Sequence, residues 1–311
     1  MNKFSFKSAL IVIPLIILFY ILISIYADIE KILQSFFTIK FEYVIFILSI
    51  IFFSMFLRSI LQSILLKKIG IQLSFKENFK LFLAGLVMII TPGGSGQIIK
   101  SIFLKKQYDF PISKTIPLIF YERFYDLIAI TSIISITVFV IFRFESLIAS
   151  LIGIIFCLFL TVISTKQIFL KKTLIFLGKI RFSKSLEIDF DTMSASIKSL
   201  NEKNLIFKSA LFCFLITLLE GYAIYLGFLA FGIDFGFLKT IQFFYTSIIF
   251  GAVSFLPGGV GVVEGSLVTM LSNNLELSTS TAIVMFVRLT TIWFATLVGF
   301  ISFLLLFLKL K

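Results

Sequence analysis

The stretch Thr91-Pro92-Gly93-Gly94-Ser95-Gly96-Gln97-Ile98-Ile99-Lys100 has a counterpart in Leu256-Pro257-Gly258-Gly259-Val260-Gly261-Val262-Val263-Glu264, and this pair decides the fold. Each Pro-Gly-Gly-x-Gly cluster interrupts an apolar run too short to continue through a bilayer. Residues 79–91 would form a helix of about 20 Å, and the limb after the cluster, 98–104, stops at Lys105 and Lys106. Likewise 241–256 leads into the second cluster, and 262–271 stops at Ser272, Asn273 and Asn274. Both read as re-entrant hairpins. Irregular backbone at membrane depth is tolerated only where protein buries it or a polar cavity receives it, so each tip predicts such surroundings.

Outward from the hairpins, segments 9–26, 43–66, 115–142, 146–163, 205–231 and 280–308 are long enough to cross a hydrocarbon core of about 30 Å. The expected fold is an all-α polytopic membrane protein with about six spanning helices plus the two hairpins. Composition agrees: 59% of the 311 residues are hydrophobic and 14% charged, where a soluble domain carries about 25% charged residues. One integral membrane domain is expected over 1–311. Its connector, 164–204, is basic and then acidic, and holds an amphipathic piece at 168–180 suited to an anionic leaflet. The run 9–26 follows Lys3 and Lys7 as a secretory signal would, but it is long enough to span and has no small-residue cleavage site after it. It reads as an uncleaved helix.

Charge placement orients these segments. With both termini cytoplasmic, the inner pieces hold 19 Lys and Arg residues and the outer loops four, namely Lys31, Lys40, Arg143 and Lys239. That asymmetry follows the positive-inside rule and fits a multi-pass protein of the plasma membrane. The net charge of +12 is then topological, and no nucleic-acid partner is expected.

The two clusters belong to an internal repeat. Arg123 follows Pro92 at the same interval at which Arg288 follows Pro257. Upstream, Gly70-Ile71-Gln72-Leu73-Ser74-Phe75 matches Gly232-Ile233-Asp234-Phe235-Gly236-Phe237. The units cover about 43–142 and 205–308. Three crossings separate their starts, so they face opposite ways as an inverted repeat. Secondary transporters use that arrangement, with the substrate near the midplane where broken helices meet.

Seven ionisable residues lie inside apolar segments: Arg58, Glu122, Arg123, Asp126, Glu220, Glu264 and Arg288. Each would cost about 2.5–3.5 kcal/mol at a helix centre without a partner or water. Arg58 and Glu220 read as partners across the bundle. Glu264 suits Arg288 or a cationic head group. Glu122 and Asp126, four apart, share a helix face and flank Arg123. The guanidinium groups of Arg123 and Arg288 recognise phosphate in two-pronged fashion, and glycine-rich tips add backbone N–H groups at a half-helix N-terminus. The candidate anion site is therefore Pro92, Gly93, Gly94, Gly96, Glu122, Arg123 and Asp126 from the first half, with Pro257, Gly258, Gly259, Gly261, Glu264 and Arg288 from the second. There is no histidine, and Cys157 and Cys213 lie singly in apolar runs as packing residues. No cofactor, metal or catalytic residue is expected.

With these residues together, the chain resembles the lysylphosphatidylglycerol synthase transmembrane, or flippase-like, family. The resemblance rests on the stretch Thr91 to Lys100, on Glu122-Arg123-Phe124-Tyr125-Asp126, on Leu256 to Glu264 and on Arg288. It implies movement of an anionic phospholipid or polyprenyl-phosphate-linked lipid between leaflets without ATP, and adds Lys100 to the candidate site. The family's best-known members carry a soluble C-terminal aminoacyl-transferase domain, whereas this sequence stops at Lys311, so lipid lysinylation is not expected of it. The expected partner is a membrane lipid with an anionic head group; a second copy of the chain and a separate lipid-modifying enzyme are further candidates. Two rival readings stay open. One is an intramembrane transferase acting on a lipid phosphate, with Glu122, Asp126 and Glu264 as base or metal ligands. The other is a secondary transporter of a small anion.

Overall fold

The computed structural model describes residues 28–165 and 189–307. The first expected crossing, 9–26, and the amphipathic piece 168–180 lie outside the described residues. Within them the chain is an all-α polytopic membrane fold. Five helical segments are long and apolar enough to span: α2 (Phe41–Lys68), α5 (Ile112–Val140), α6 (Phe144–Thr165), α8 (Lys203–Leu229) and the composite Leu277–Leu306. These are the five remaining crossings expected from the sequence. The composite consists of α11 (Leu277–Arg288), a π-helical turn at Leu289–Trp293, and α12 (Phe294–Phe307). A single π turn inside an α-helix often marks a functional position, and this one begins directly after Arg288.

Two shorter helices go beyond the sequence expectation. Helix α1 (Ile29–Phe37) precedes α2, capped where the Asp28 side chain accepts from the Lys31 N–H. Helix α7 (Phe190–Leu200) forms the end of the connector and lies on α5, burying Met193 and Ile197 beside Ile116. Its cap is Asp189, which accepts from the Thr192 N–H at 2.9 Å. Those hydrogen bonds from Thr192 hold the Asp189 carboxyl below its ordinary value.

Both broken elements are present, with shifted limits. Helix α3 (Phe75–Leu86) starts four residues earlier than expected because Ser74 and Glu77 make a reciprocal capping box. After turns over 87–91 comes a 3-10 segment, Pro92–Ile98, and then α4 (Ile99–Tyr108). In the second half α9 (Phe237–Val253) leads through the 3-10 turn Pro257–Gly259 to α10 (Val262–Ser272). Helices α3 and α4 lie against each other, as do α9 and α10. Tyr108, the last residue of α4, hydrogen-bonds to Glu77 in the first turn of α3, so the far end of α4 meets the start of α3.

The tertiary contacts run between the two stretches that match in sequence. Helices α2 and α8, the first of each half, lie together along the middle of the molecule. Each broken element then leans on the final helix of the other half: α3 on α12, and α9 on α5. Cross-half hydrogen bonds mark both contacts, from Ser302 Oγ to the Lys80 carbonyl at 3.0 Å and from Gln242 Nε2 to the Ile141 carbonyl at 2.9 Å. The two 3-10 tips touch. Gly258 sits so near Ile90 that a Cβ there would lie 3.2 Å from the isoleucine methyl.

Candidate functional site

Arg58 in α2 and Glu220 in α8 stand at the same interval in the chain as Gly70 and Gly232. They are the same position in the two halves, and they meet. Arg58 Nε and Nη2 donate to the two oxygens of Glu220 at 2.8 Å each, and Ser54 Oγ adds a third hydrogen bond at 2.9 Å. The remaining arm, Nη1, pairs with Asp126 of α5. Asp126 also accepts from Cys213 Sγ at 3.2 Å and pairs with Arg123 at 3.0 Å. Cys213, expected as simple filling, thus donates to a carboxylate.

Arg123 is the accessible cation of this group. Its side chain is 32% exposed, and its Nε, itself shielded, has no hydrogen-bond partner among the described residues. Gly94 at the first tip has φ +65° and faces it: a Cβ on Gly94 would come 3.4 Å from Arg123 Cδ. A small cleft is lined here by Arg58, Leu61, Phe82, Glu122, Arg123 and Asp126. Its volume of about 10 Å³ is room for roughly one water.

Glu122 lines the cleft too but pairs with Lys100 of α4, both being almost fully buried. Lys100 therefore lies behind the cleft and does not line it. Its Nζ also donates to Gln62 Oε1 at 3.0 Å, and Gln62 Nε2 donates to Asn78 Oδ1 at 2.9 Å. The stem of Lys100 fits because Gly85 of α3 has no side chain; a Cβ there would be 2.7 Å from Lys100 Cδ. Sequence reasoning missed Gln62 and Asn78, although lone amides in two apolar helices were the available signal. Pairing of the two amides satisfies groups that would otherwise be costly to bury.

The second half is built differently. Arg288 is 2% exposed and Glu264 1%. Arg288 Nε donates to Glu264 Oε1 at 2.7 Å, and its Nη2 donates to the Gly258 carbonyl at 2.7 Å. The other carboxylate oxygen, Oε2, accepts from the Gly261 N–H at 2.8 Å. A carboxylate of the protein thus fills the site between arginine and helix N-terminus that the sequence suggested for an external anion. In the first half the position equivalent to Glu264, at the offset that relates Pro92 to Pro257, is Ile99, which carries no charge. Pro92, Gly93 and Gly96 lie in the first 3-10 tip, and the Gly96 N–H is taken by Thr91 Oγ1 at 2.7 Å. Pro257 and Gly259 complete the second tip. The structure therefore gathers the candidate residues into two separate polar centres, each with its charges balanced.

An Asp-x-Asp pair exists outside the apolar segments, Asp189-Phe190-Asp191, but Asp189 is committed to capping α7. Among the described residues no three His, Cys, Asp or Glu side chains are grouped to hold a metal ion. A separate apolar groove of about 580 Å³ runs between the start of α2 and the π turn, with Phe41, Val44, Leu48, Leu289, Trp293 and Leu297 on its walls.

These features define a polytopic helical membrane protein with buried ion pairs between its helices. The chain belongs to the family described as the lysylphosphatidylglycerol synthase TM region, which it matches over residues 9–299. It is similar to a UPF0104 membrane protein of Methanothermobacter thermautotrophicus, 34% identical over 101 residues, covering 32% of this chain and 30% of that protein. It is also similar to a UPF0104 membrane protein of Methanocaldococcus jannaschii, 27% identical over 220 residues, covering 69% of this chain and 91% of that one.

Proposed function

We propose that the protein is a non-enzymatic translocator that carries a lipid with a phosphate-bearing anionic head group between the leaflets of the plasma membrane. Both hairpins are re-entrant, the halves are inverted, and the termini are cytoplasmic. The observation that carries this reading is the asymmetry between the equivalent arginines. Arg288 is neutralised by Glu264 and locks its own tip, whereas Arg123 keeps a donor without a partner among the described residues, beside Gly94 and a water-sized cleft. The head group binds at Arg123, and the acyl chains stay in lipid, where the groove by the π turn suits one chain. A cleft this small is a closed state, so loading requires the halves to rock apart around the Arg58–Glu220 contact.

Transport is measured with a fluorescent phosphatidylglycerol in proteoliposomes by dithionite quenching. Exchange between leaflets is expected, and Arg123→Ala should reduce it to the rate of empty vesicles while the protein stays monodisperse. Unchanged exchange in that variant would remove Arg123 from the mechanism. Chemical change of the lipid, seen by mass spectrometry, would favour the transferase reading. Inhibition by free phosphate in preference to lipid would favour the small-anion transporter.

A further inference from the structure

Four charged side chains line the Arg123 cleft, Arg58, Glu122, Arg123 and Asp126, and with Lys100 and Glu220 paired to them from behind, the six formal charges cancel. A phosphodiester head group brings one negative charge into this balanced set. Unpaired charge is poorly tolerated away from water, so binding at Arg123 favours uptake of one compensating positive charge. The carboxylates differ in their capacity to accept a proton. Both oxygens of Asp126 are engaged, by Arg58 and Cys213 on one and Arg123 on the other. Both oxygens of Glu220 are engaged by Arg58, with Ser54 in support. Glu122 uses only Oε2, toward Lys100; its Oε1 is buried with no hydrogen-bond partner among the described residues.

The surroundings of Glu122 are otherwise accounted for. Helix α2 presents Arg58 and the amide of Gln62, α4 presents Lys100, and its own helix carries Arg123 and Asp126. Helix α3 offers Phe82 and the Asn78 amide, and α8 contributes Glu220 and Cys213 through their contacts with Arg58 and Asp126. Glu122 also lines the cleft itself. We infer that Glu122 is a proton-binding site: Oε1 takes a proton from solvent through the cleft when the head group binds, and lipid anion and proton move together. Lys100, released from its carboxylate partner but still bonded to Gln62, then balances the phosphate charge. This rests on the proposed head-group site at Arg123.

The test uses the full-length chain in detergent with dihexanoyl phosphatidylglycerol as the probe. Calorimetry in buffers of different ionisation enthalpy reads the protons taken up per lipid bound; about one is expected for the native chain and none for Glu122→Gln. Should that variant fail to fold, the native chain alone decides. The phosphodiester does not titrate between pH 6 and 9, so uptake of one proton on binding makes affinity fall about tenfold per unit rise in pH. Binding without proton uptake, affinity independent of pH, or undiminished uptake in Glu122→Gln would overturn the inference. Absence of any binding to the native chain would overturn the head-group site, and this inference with it.

Discussion

Arg58 makes a two-pronged ion pair with Glu220, the residue that occupies its own position in the other half of the chain. The repeat thus meets itself at a contact of opposite charges, which a strictly identical repeat could not make. A double-mutant cycle with Arg58→Gln and Glu220→Gln should give a coupling of about 1.5–3 kcal/mol, as for hydrogen bonds to charged groups. Exchanging the two charges, Arg58→Glu with Glu220→Arg, should fail to restore stability, because the new carboxylate would face Asp126. Thermal unfolding in detergent distinguishes these outcomes.

The two equivalent arginines should respond differently to removal. Arg288→Ala strands a buried Glu264 and should cost about 3–5 kcal/mol, lowering the melting temperature. Replacing both partners, Glu264→Leu with Arg288→Met, should recover much of that loss. Arg123→Ala should leave the melting temperature within a few degrees of native, since its side chain is partly exposed and its Nε has no hydrogen-bond partner among the described residues.

Gly299 of α12 lies directly on the end of α3. A Cβ there would approach the Leu86 carbonyl carbon to 2.7 Å and Leu86 Cβ to 2.9 Å. Backbone cannot yield as a flexible side chain does, so Gly299→Val should destabilise by about 1–3 kcal/mol or more. Gly265→Ala, where an added Cβ meets nothing within 4 Å among the described residues beyond its own helix, is the matched control and should be nearly neutral.

Acid should loosen the two capped helix starts outside the spanning segments. Hydrogen bonds from Ser74 and Tyr108 hold Glu77 below its ordinary value, and those from Thr192 do the same for Asp189. Each carboxyl therefore binds protons less readily folded than unfolded. Its contribution is present above the unfolded value and is lost as pH falls through the folded one. Hydrogen exchange at the starts of α3 and α7 should quicken below about pH 4. Asp189→Ala should abolish the change at α7 alone, and Tyr108→Phe should weaken it at α3.

The broken elements, five spans and the Arg58–Glu220 and Arg288–Glu264 pairings were readable in the sequence, because proline-glycine clusters and intramembrane charges are strong local signals. The asymmetry of the two tips was also written there, as Ile99 against Glu264 at the shared offset, but it acquires meaning only when the Glu264 carboxylate is seen on the Gly261 N–H. Lys100 was harder to place. Only the family resemblance put it in the candidate site, and the structure buries it because Gly85 leaves a channel for its stem and Glu122 meets its charge. Helices α1 and α7 escaped notice because they are too short to span, although Ile29, Ile32, Leu33 and Phe36, and Phe190, Met193, Ile197 and Leu200, recur at helical spacing.

The leaning of α3 on α12 also sets a schedule for synthesis. Ser302 hydroxyl and Lys80 carbonyl are bonded across 222 residues, and at about 5–20 residues per second the ribosome needs roughly 10–45 s to cover that distance. Throughout that interval the first hairpin has been made while the helix that will shelter it has not. The insertion machinery, or a bystander chain, must keep the unfinished element company until the last segment leaves the tunnel.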